Sequence, residues 1–139
     1  MAELYTFSDE TKAHLRKFRL TTSRSNDPQA VIYYIDRQTH EIKQDDDKTV
    51  YKSLDEIAED LPDNTPRFVL LSYPLTLRDG RLKVPYVMLA WMPATCNHEQ
   101  KMIYAGAKEL LRNTAGVGDV IDITETEELE EVPARLGAT

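Results

Sequence analysis

The stretch RFVLLSYPLTLRDGRLKVPYVMLAW, residues 67–91, decides the fold of this chain. It predicts two strands, Arg67 to Thr76 and Lys83 to Trp91, each with a nearly continuous apolar run. Such strands are typical of a sheet that is covered on both faces. The Asp79-Gly80 pair between them suits a tight hairpin turn. The two strands are therefore antiparallel neighbours, and an all-parallel sheet is excluded.

The segment before this hairpin begins with a predicted amphipathic helix. Ser8 can cap the helix, and Thr11, Leu15 and Phe18 share its inward face. Residues 21–28 are rich in Ser, Asn, Asp and Pro, which is typical of a loop.

Two strands and a short helix are predicted between this first helix and the hairpin. The strands are Ala30 to Ile35, which is apolar and β-branched or aromatic, and His40 to Lys43. Ser53 and Glu56 then form a capping box, which opens a helix that ends before Pro62.

After the hairpin, the sequence predicts a long helix, a short strand over residues 120–123 and a C-terminal helix. Capping boxes begin both helices, glycines end the long one and a proline limits the last. In chain order these signals are Asn97 with Gln100, Gly116 with Gly118, Thr124 with Glu127, and Pro133. The connection through the long helix can add a strand by a parallel crossover. We therefore predict an α/β (α+β) fold, a five-stranded mixed β-sheet sandwiched between α-helices, in a single domain over residues 1–139.

The long helix has an apolar side and a basic side. With Met102 at 0° and about 100° per residue, a core arc between about 80° and 180° contains Ile103, Ala107, Leu110 and Leu111. A basic strip between about 240° and 280° contains Lys101, Lys108 and Arg112, with the small residue Ala105 near about 300°. Met102 lies between the arc and the strip, so we expect its side chain to be partly buried.

The first helix carries a second group of basic side chains, Arg16, Lys17 and Arg19. This group and the strip on the long helix converge if both helices pack on one face of the sheet. In a chain of net charge −7, such an exposed cationic surface is a candidate docking site for an acidic partner. The alternative is that these bases only keep the outward helix faces solvated.

Length, charge and cysteine content exclude several classes of protein. The 139 residues suit one domain, and no apolar run approaches the roughly 20 residues of a membrane span. The first residues lack the basic and apolar regions of a signal peptide. The acidic balance argues against broad binding to nucleic acid, and the single cysteine, Cys96, excludes an internal disulfide. We expect a cytoplasmic, monomeric protein.

Patterns for catalysis and metal binding are weak. His14, His40 and His98 fall in different predicted elements, and none has a partner at ligand spacing. The run Asp45-Asp46-Asp47 lacks the spaced oxygen ligands and the glycine of a calcium loop, so a solvated turn is favoured. Cys96 precedes a helix, where a thiolate is stabilised, but a partly buried small residue explains it better. The sequence predicts no cofactor, no metal site and no enzyme; a small enzyme with a hidden site is the alternative.

Five short strings occur in an order and spacing that are specific when taken together: LRKFR at 15–19, PRF at 66–68, SY at 72–73, DGR at 79–81 and EQKMIYAGAK at 99–108. In these strings the chain resembles the glia maturation factor family, whose members consist of an actin-depolymerising-factor homology (ADF-H) domain. The resemblance spans nearly the whole chain, from about Phe7 to the C-terminal helix. It agrees with the fold predicted from the pattern of elements.

The resemblance implies a regulator of branched actin. Members of this family bind the branch-nucleating actin-related-protein (Arp) complex, suppress its nucleation and dissociate daughter filaments, with little binding to actin itself. On this basis the residues expected to bind the Arp complex are Arg16, Lys17, Arg19, Lys101, Met102, Ala105, Lys108 and Arg112. The charged hairpin tip, Arg78, Asp79 and Arg81, is expected to be a second surface that contacts actin subunits at the branch, or else a solvated turn.

Cofilin-type proteins, which bind, sever and depolymerise actin filaments, are the near alternative. They carry a serine directly after the start and an early basic stretch, whereas this chain has Ala2 and Glu3 and no such stretch. Amino-terminal serine phosphorylation, described for some relatives, is therefore not expected. Ala105-Gly106 is also closer to glia maturation factor than to cofilins. By resemblance we expect the protein at cortical actin structures in the cytoplasm, with the nucleus as an alternative location.

Overall fold

The computed structural model describes residues 5–22, 27–44 and 50–136, with the side chains of Thr21 and Thr22 left out. Ala2, Glu3 and the acidic run 45–47 lie outside these ranges, as do residues 23–26 of the predicted loop at 21–28. Throughout the described ranges, every helix is too short or too polar to cross a bilayer.

The described ranges contain four α-helices, seven β-strands and a 3₁₀ helix. In chain order they are α1 (Asp9–Thr22), β1 (Gln29–Ile35), β2 (Ile42–Gln44), α2 (Leu54–Asp60), β3 (Arg67–Ser72), β4 (Leu75–Thr76), β5 (Leu82–Lys83), β6 (Tyr86–Trp91), α3 (His98–Ala115), β7 (Asp119–Ile123), the 3₁₀ helix (Thr126–Glu131) and α4 (Val132–Arg135).

Five of the strands form one mixed sheet in the order β2-β1-β3-β6-β7. Neighbours are antiparallel except β6 and β7, which are parallel and joined by α3. In the centre, β3 and β6 pair over their full lengths, from Arg67 opposite Trp91 to Ser72 opposite Tyr86. The predicted five-stranded mixed sheet and its central antiparallel pair are confirmed.

Helices cover both faces of this sheet, which explains why β3 and β6 are apolar on both sides. On one face, Leu15 and Phe18 of α1 and Leu111 of α3 pack with Phe68 and Met88. On the other face, α2, the 3₁₀ helix and α4 pack against the sheet through a second apolar cluster. The contacts that build this second cluster involve Ile57, Leu129 and Val132 against Leu89, Trp91 and Ile123. The predicted layer arrangement is confirmed.

The two strongest predicted strands are interrupted, and this differs from the prediction. Pro74 and Pro85 lack the N–H that a sheet ladder needs, so the long pair ends where the Tyr73 N–H donates to the Pro85 carbonyl at 3.1 Å. Beyond them, β4 and β5 form a separate two-stranded ribbon. Five residues, 77–81, connect β4 to β5, with Gly80 at φ 89°, so the connection is longer than the tight turn that was predicted.

Most helix ends follow the predicted capping, but the last differs. The Thr11 N–H donates to Ser8 Oγ at 3.0 Å, and the Gln100 N–H donates to Asn97 Oδ1 at 2.8 Å. At the C-terminal segment, Thr124 bonds to Glu128 instead of Glu127, and a 3₁₀ helix forms first. Pro133 lies in the first turn of α4 and does not end it. A proline fits there because the first helical N–H groups have no partner within the helix.

Candidate functional site

The phase of α3 differs from the one predicted from the sequence. Its fully buried positions are Gln100, Tyr104, Ala107, Leu111 and Ala115, which centre the core arc near about 180°. The predicted core residues Ile103 and Leu110 are only partly buried. Tyr104 draws the helix into this orientation: its hydroxyl accepts the Ile35 N–H at 3.0 Å, and its ring packs 5.3 Å from that of Phe68.

Met102 lies directly opposite the buried side of α3. Met102 is 62% exposed, which is more than its predicted position between the core arc and the basic strip implies. Ala105 and Gly106 are exposed beside it on the same outward face. These three residues, the Met102 strip, are an apolar, small-residue surface with no cover among the described residues except at Gly106.

At Gly106, the N-terminal segment crosses α3. The Tyr5 hydroxyl donates to the Ile103 carbonyl at 2.6 Å, and a Cβ on Gly106 would lie 2.6 Å from that oxygen. The Tyr5 ring also stacks on His40 at 5.8 Å. Sequence reasoning missed Tyr5, although a glycine in the middle of a helix is a known sign of close approach.

Two of the three basic residues predicted on α3 form ion pairs with neighbouring acidic residues. Lys108 Nζ forms an ion pair with Asp122 Oδ1 at 3.0 Å. Arg112 pairs with Glu109 at 2.7 Å and donates to the Gly118 carbonyl at 3.0 Å. Lys101, at the other end of the helix, has no ion-pair partner in the part of the chain that the structure describes.

The basic residues of α1 reach α3 at only one end. α1 and α3 pack on the same sheet face, and Arg16, Lys17 and Arg19 are exposed. The Arg19 guanidinium lies over Gly116, where a Cβ would be 2.5 Å from its Nη1. The carbonyl end of a helix favours such a cation. The two basic groups therefore meet near the C-terminal end of α3, whereas Lys101 is about 22 Å away along the helix axis.

The hairpin tip is exposed and partly neutralised. Arg81 Nε lies 2.6 Å from Asp79 Oδ2, and the Arg81 N–H donates to Asp79 Oδ1 at 3.1 Å. Arg78 is exposed and has no ion pair with any described residue. The net positive charge of the tip is thus that of Arg78.

The candidate catalytic residues are scattered. His14 bonds to the Tyr33 hydroxyl through Nδ1 at 2.5 Å, His98 is exposed in the first turn of α3, and Cys96 is buried. Within the described ranges, no three His, Cys, Asp or Glu side chains converge as metal ligands would. What the geometry offers is a binding surface: an apolar strip on α3 with bases at its flank.

Comparison with known proteins gives consistent matches. The family model described as "Cofilin/tropomyosin-type actin-binding protein" matches residues 4–135. Protein AIM7 of Saccharomyces cerevisiae is 38% identical, over 94% of this chain and 97% of its own length. Human glia maturation factor beta is 37% identical, over 84% of this chain and 80% of its own. Cofilin-1A of Dictyostelium discoideum is 34% identical, over 72% of each chain.

Solved structures share the fold over nearly the full chain. The solution structure of glia maturation factor from Caenorhabditis elegans superimposes with a TM-score of 0.78 and 28% identity, covering 98% of this chain and 99% of that one. The crystal structure of Streptomyces griseoflavus cofilin has a TM-score of 0.75 at 20% identity, covering 97% of both chains, and supports the fold alone.

Proposed function

This chain belongs to the cofilin/tropomyosin-type actin-binding protein family and, within it, to the glia maturation factor group of ADF-H proteins, and from that premise we propose that it binds the Arp complex, inhibits actin nucleation by that complex and promotes debranching of filament networks. It is an actin-regulating protein of this group. The observation that carries the finer proposal is the exposed Met102 strip on α3.

The Met102 strip supplies the apolar part of the proposed contact. A flexible methionine beside two small residues suits a hydrophobic groove between subdomains of an actin-like fold. Because Met102 is 62% exposed in the free protein, more than half of its surface is available for burial in a partner. Burying such a side chain contributes up to about 1.5–3 kcal/mol.

The basic side chains supply the proposed electrostatic part, and they are not equivalent. Lys101 and Arg16 have no ion pair in the described ranges and are ready to meet acidic groups at the rim of the groove. Lys108 and Arg112 already have acidic partners, which a new contact would have to displace or share. Lys17, Arg19 and Ala105 complete the proposed Arp-binding surface. The salt dependence of binding should therefore come mainly from Lys101 and Arg16.

We propose no bond-making step in this mechanism. The protein binds more tightly to an arrangement of the Arp complex that is incompatible with the branch. This difference in affinity shifts the junction towards release. Occupying the same surface of the complex before branching would suppress nucleation. The hairpin tip, with Arg78, Asp79 and Arg81, is the proposed second contact, with an actin subunit at the junction.

We further propose that residues 1–139 act as one monomeric domain in the cytoplasm, at cortical actin structures. The nucleus is the alternative location. The proposed activity needs no cofactor, metal, nucleic acid or membrane. A fluorescent fusion should colocalise with the Arp complex, and light scattering should give the mass of one chain; a diffuse signal or a dimer mass would contradict these two proposals.

The decisive experiment is time-lapse imaging of pre-formed actin branches with and without this protein. The wild type should shorten branch lifetime, and Arg16→Glu with Lys101→Glu should weaken both debranching and pull-down of the Arp complex. Lys52→Glu, exposed next to α2 on the other side of the sheet, is the matched control and should behave as wild type. Unchanged branch lifetime with the wild type would remove the proposal.

Cofilin-like severing is the second candidate, favoured by the match to Cofilin-1A. Co-sedimentation with bare filaments separates the two. Glia-maturation-factor-like action predicts that the protein stays in the supernatant with bare filaments. Strong co-sedimentation, with filaments shortened in the absence of the Arp complex, would favour the cofilin-like activity instead.

A further inference from the structure

A cavity of about 350 Å³ lies beside the first two turns of α3, between the end of β1 and the start of β3. Its polar lining comes from eight residues: Tyr34, Asp36, Arg37, Gln38, Thr65, Arg67, Gln100 and Tyr104. The proposed function above does not use this cavity. It nevertheless contains features that a merely structural gap does not require.

Two buried donors at this cavity have no acceptor among the described residues. Gln100 is only 5% exposed, and its side-chain nitrogen Nε2 has no hydrogen-bond partner. Arg67 Nε is likewise buried without a partner. Buried side-chain donors are paired in the large majority of native structures, so two orphaned donors lining one cavity indicate a missing acceptor.

Arg67 is held in place by its other contacts. Its Nη1 donates to the Pro66 carbonyl at 2.8 Å, and its guanidinium carbon lies 5.6 Å from the centre of the Tyr34 ring. Its side chain also hydrogen-bonds with Tyr104, whereas Nε has no partner among the described residues and can serve an acceptor. In the described ranges, Arg67 forms no ion pair with a carboxylate. Guanidinium groups remain charged, so this positive charge lacks an internal counter-ion.

The one acidic group of the lining is engaged elsewhere. Asp36 Oδ1 accepts the N–H groups of Gln38 and Thr39 at 2.9 and 3.1 Å, and Oδ2 lies 3.7 Å from Lys43 Nζ. These hydrogen bonds hold the pKa of Asp36 below its usual range. Tyr104 accepts the Ile35 N–H and retains its own proton as a further donor. The cavity thus has two unpaired donors and a guanidinium charge, and its one carboxylate is already engaged.

We propose that this cavity is a carboxylate-binding site. A carboxylate only accepts hydrogen bonds, has room for about four, and meets the side-on edge of a guanidinium with two of them. A neutral carbonyl would satisfy the amide of Gln100 but leave the charge of Arg67 unpaired. The carboxylate can come from an acidic side chain or chain end of a protein partner, or from a small free acid.

The test uses the isotope-labelled chain of residues 1–139 and follows the side-chain NH₂ signals of Gln100 and the Nε–H signal of Arg67 by NMR. Sodium acetate is titrated against sodium chloride and sodium phosphate at matched ionic strength. A second arm uses short blocked peptides that carry a glutamate, its glutamine counterpart, or a free C-terminus. We expect saturable shifts of both signals with the carboxylates alone. If the carboxylate-bearing peptides bind more tightly than acetate, the ligand is a carboxylate of a protein. If the peptides and acetate bind equally, the ligand is a small free acid.

Variants separate binding from folding. Gln100→Met and Arg67→Met remove the donors at similar length and should weaken carboxylate binding at least about tenfold. Gln100→Met should not lower the Tm of the free protein, because an orphaned donor stabilises nothing. Arg78→Met, at the distant hairpin tip, is the matched control and should bind as wild type. Signals that do not respond to any carboxylate mean that the donors are satisfied by water alone, and this overturns the proposal, as does an equal response to phosphate or to the glutamine peptide.

Discussion

Met102 is the exposed residue that most directly tests the proposed contact with the Arp complex. It is 62% exposed and lies opposite the buried side of α3. We predict that Met102→Ala lowers Arp-complex affinity by up to about ten- to a hundredfold, because about 1.5–3 kcal/mol of apolar burial is lost. The salt dependence of binding should not change, since no charge is removed. Binding titrations at two ionic strengths measure both quantities.

The stability of the same variant provides its control. Because Met102 packs against little in its own domain, Met102→Ala should change the free energy of unfolding by less than about 0.5 kcal/mol. Leu111→Ala, at a fully buried position of the same helix, should cost about 2–5 kcal/mol. Leu110 is a poorer core reference, since it is only partly buried. If urea denaturation gives Met102→Ala the larger loss, Met102 packs in the core and the proposed contact is wrong.

Gly106 is explained by what lies above it and not by its own flexibility. In an open helix, Gly→Ala stabilises by about 1 kcal/mol. Here the new Cβ would lie 2.6 Å from the Tyr5 hydroxyl oxygen, which must then leave the Ile103 carbonyl. We predict that Gly106→Ala destabilises the protein by about 1 kcal/mol, since a partly buried hydrogen bond and its packing are lost.

A double-mutant cycle tests this explanation. In the Tyr5→Phe background the hydroxyl is gone, so Gly106→Ala should be neutral or stabilising there. Urea denaturation of the four proteins gives the coupling free energy between the two positions. Equal destabilisation in both backgrounds would show that the close approach of Tyr5 is not the cause.

At the scale of elements, the β4–β5 ribbon extends beyond the central sheet, and only Leu75 of β4 packs in the core. Prolines separate it from the central strands, and both residues of β5 are exposed. We predict that Arg78→Ala with Arg81→Ala slows debranching several-fold with little loss of Arp-complex affinity. Arg78 should account for most of the effect, because Arg81 is already paired with Asp79. Branch-lifetime imaging and pull-down titration measure the two activities separately.

The matched control for the ribbon is Lys52→Ala, which removes an exposed base on the other side of the sheet. It should leave both activities unchanged. If the ribbon variant loses affinity and debranching in equal proportion, the tip is part of the first surface. If it loses neither, the tip is a solvated turn.

At the scale of the whole molecule, buried tyrosines on one sheet face set the response to alkaline pH. Burial raises the pKa of Tyr86 to about 12, although the charge of Arg19 opposes this, and it also raises the pKa of Tyr33 and Tyr104. The folded state keeps these protons where the unfolded chain, with a tyrosine pKa of about 10, has lost them. Their contribution to stability is therefore complete below about pH 10 and lost as pH rises through the folded values.

Tyr86→Phe isolates one of these contributions. The hydroxyl of Tyr86 is buried and has no hydrogen-bond partner in the described part of the chain, so its removal should not destabilise the protein at neutral pH. Between about pH 10 and 12 the variant should lose stability less steeply, by up to about 1.4 kcal/mol per pH unit. Urea denaturation at several alkaline pH values measures the slope. If the wild type and Tyr86→Phe show the same slope, the ionisation of Tyr86 does not change the free energy of unfolding.

The sequence by itself determined the elements and the layers of this protein. Apolar runs on both sides of β3 and β6 require a sheet with two covered faces, and Ser8, Ser53, Asn97 and Gly116 delimit helices through bonds to residues only three or four positions away. The outward position of the basic residues follows from the same short-range periodicity. Such signals are readable because a helix or strand repeats its geometry every few residues.

Only the tertiary structure decided the details of the surface, because the partners concerned are far apart in the chain. The phase of α3 depends on Tyr104 reaching Ile35, 69 residues away, and the cover of Gly106 on Tyr5 reaching Ile103, 98 residues away. The sequence predicts that Lys108 is available to a partner, but in the structure it forms an ion pair with Asp122. The hydrophobic periodicity of a helix indicates only which side faces the core on average. It does not predict a single hydrogen bond or ion pair to a residue far away in the chain. These single contacts determine which predicted site residues remain available to a partner.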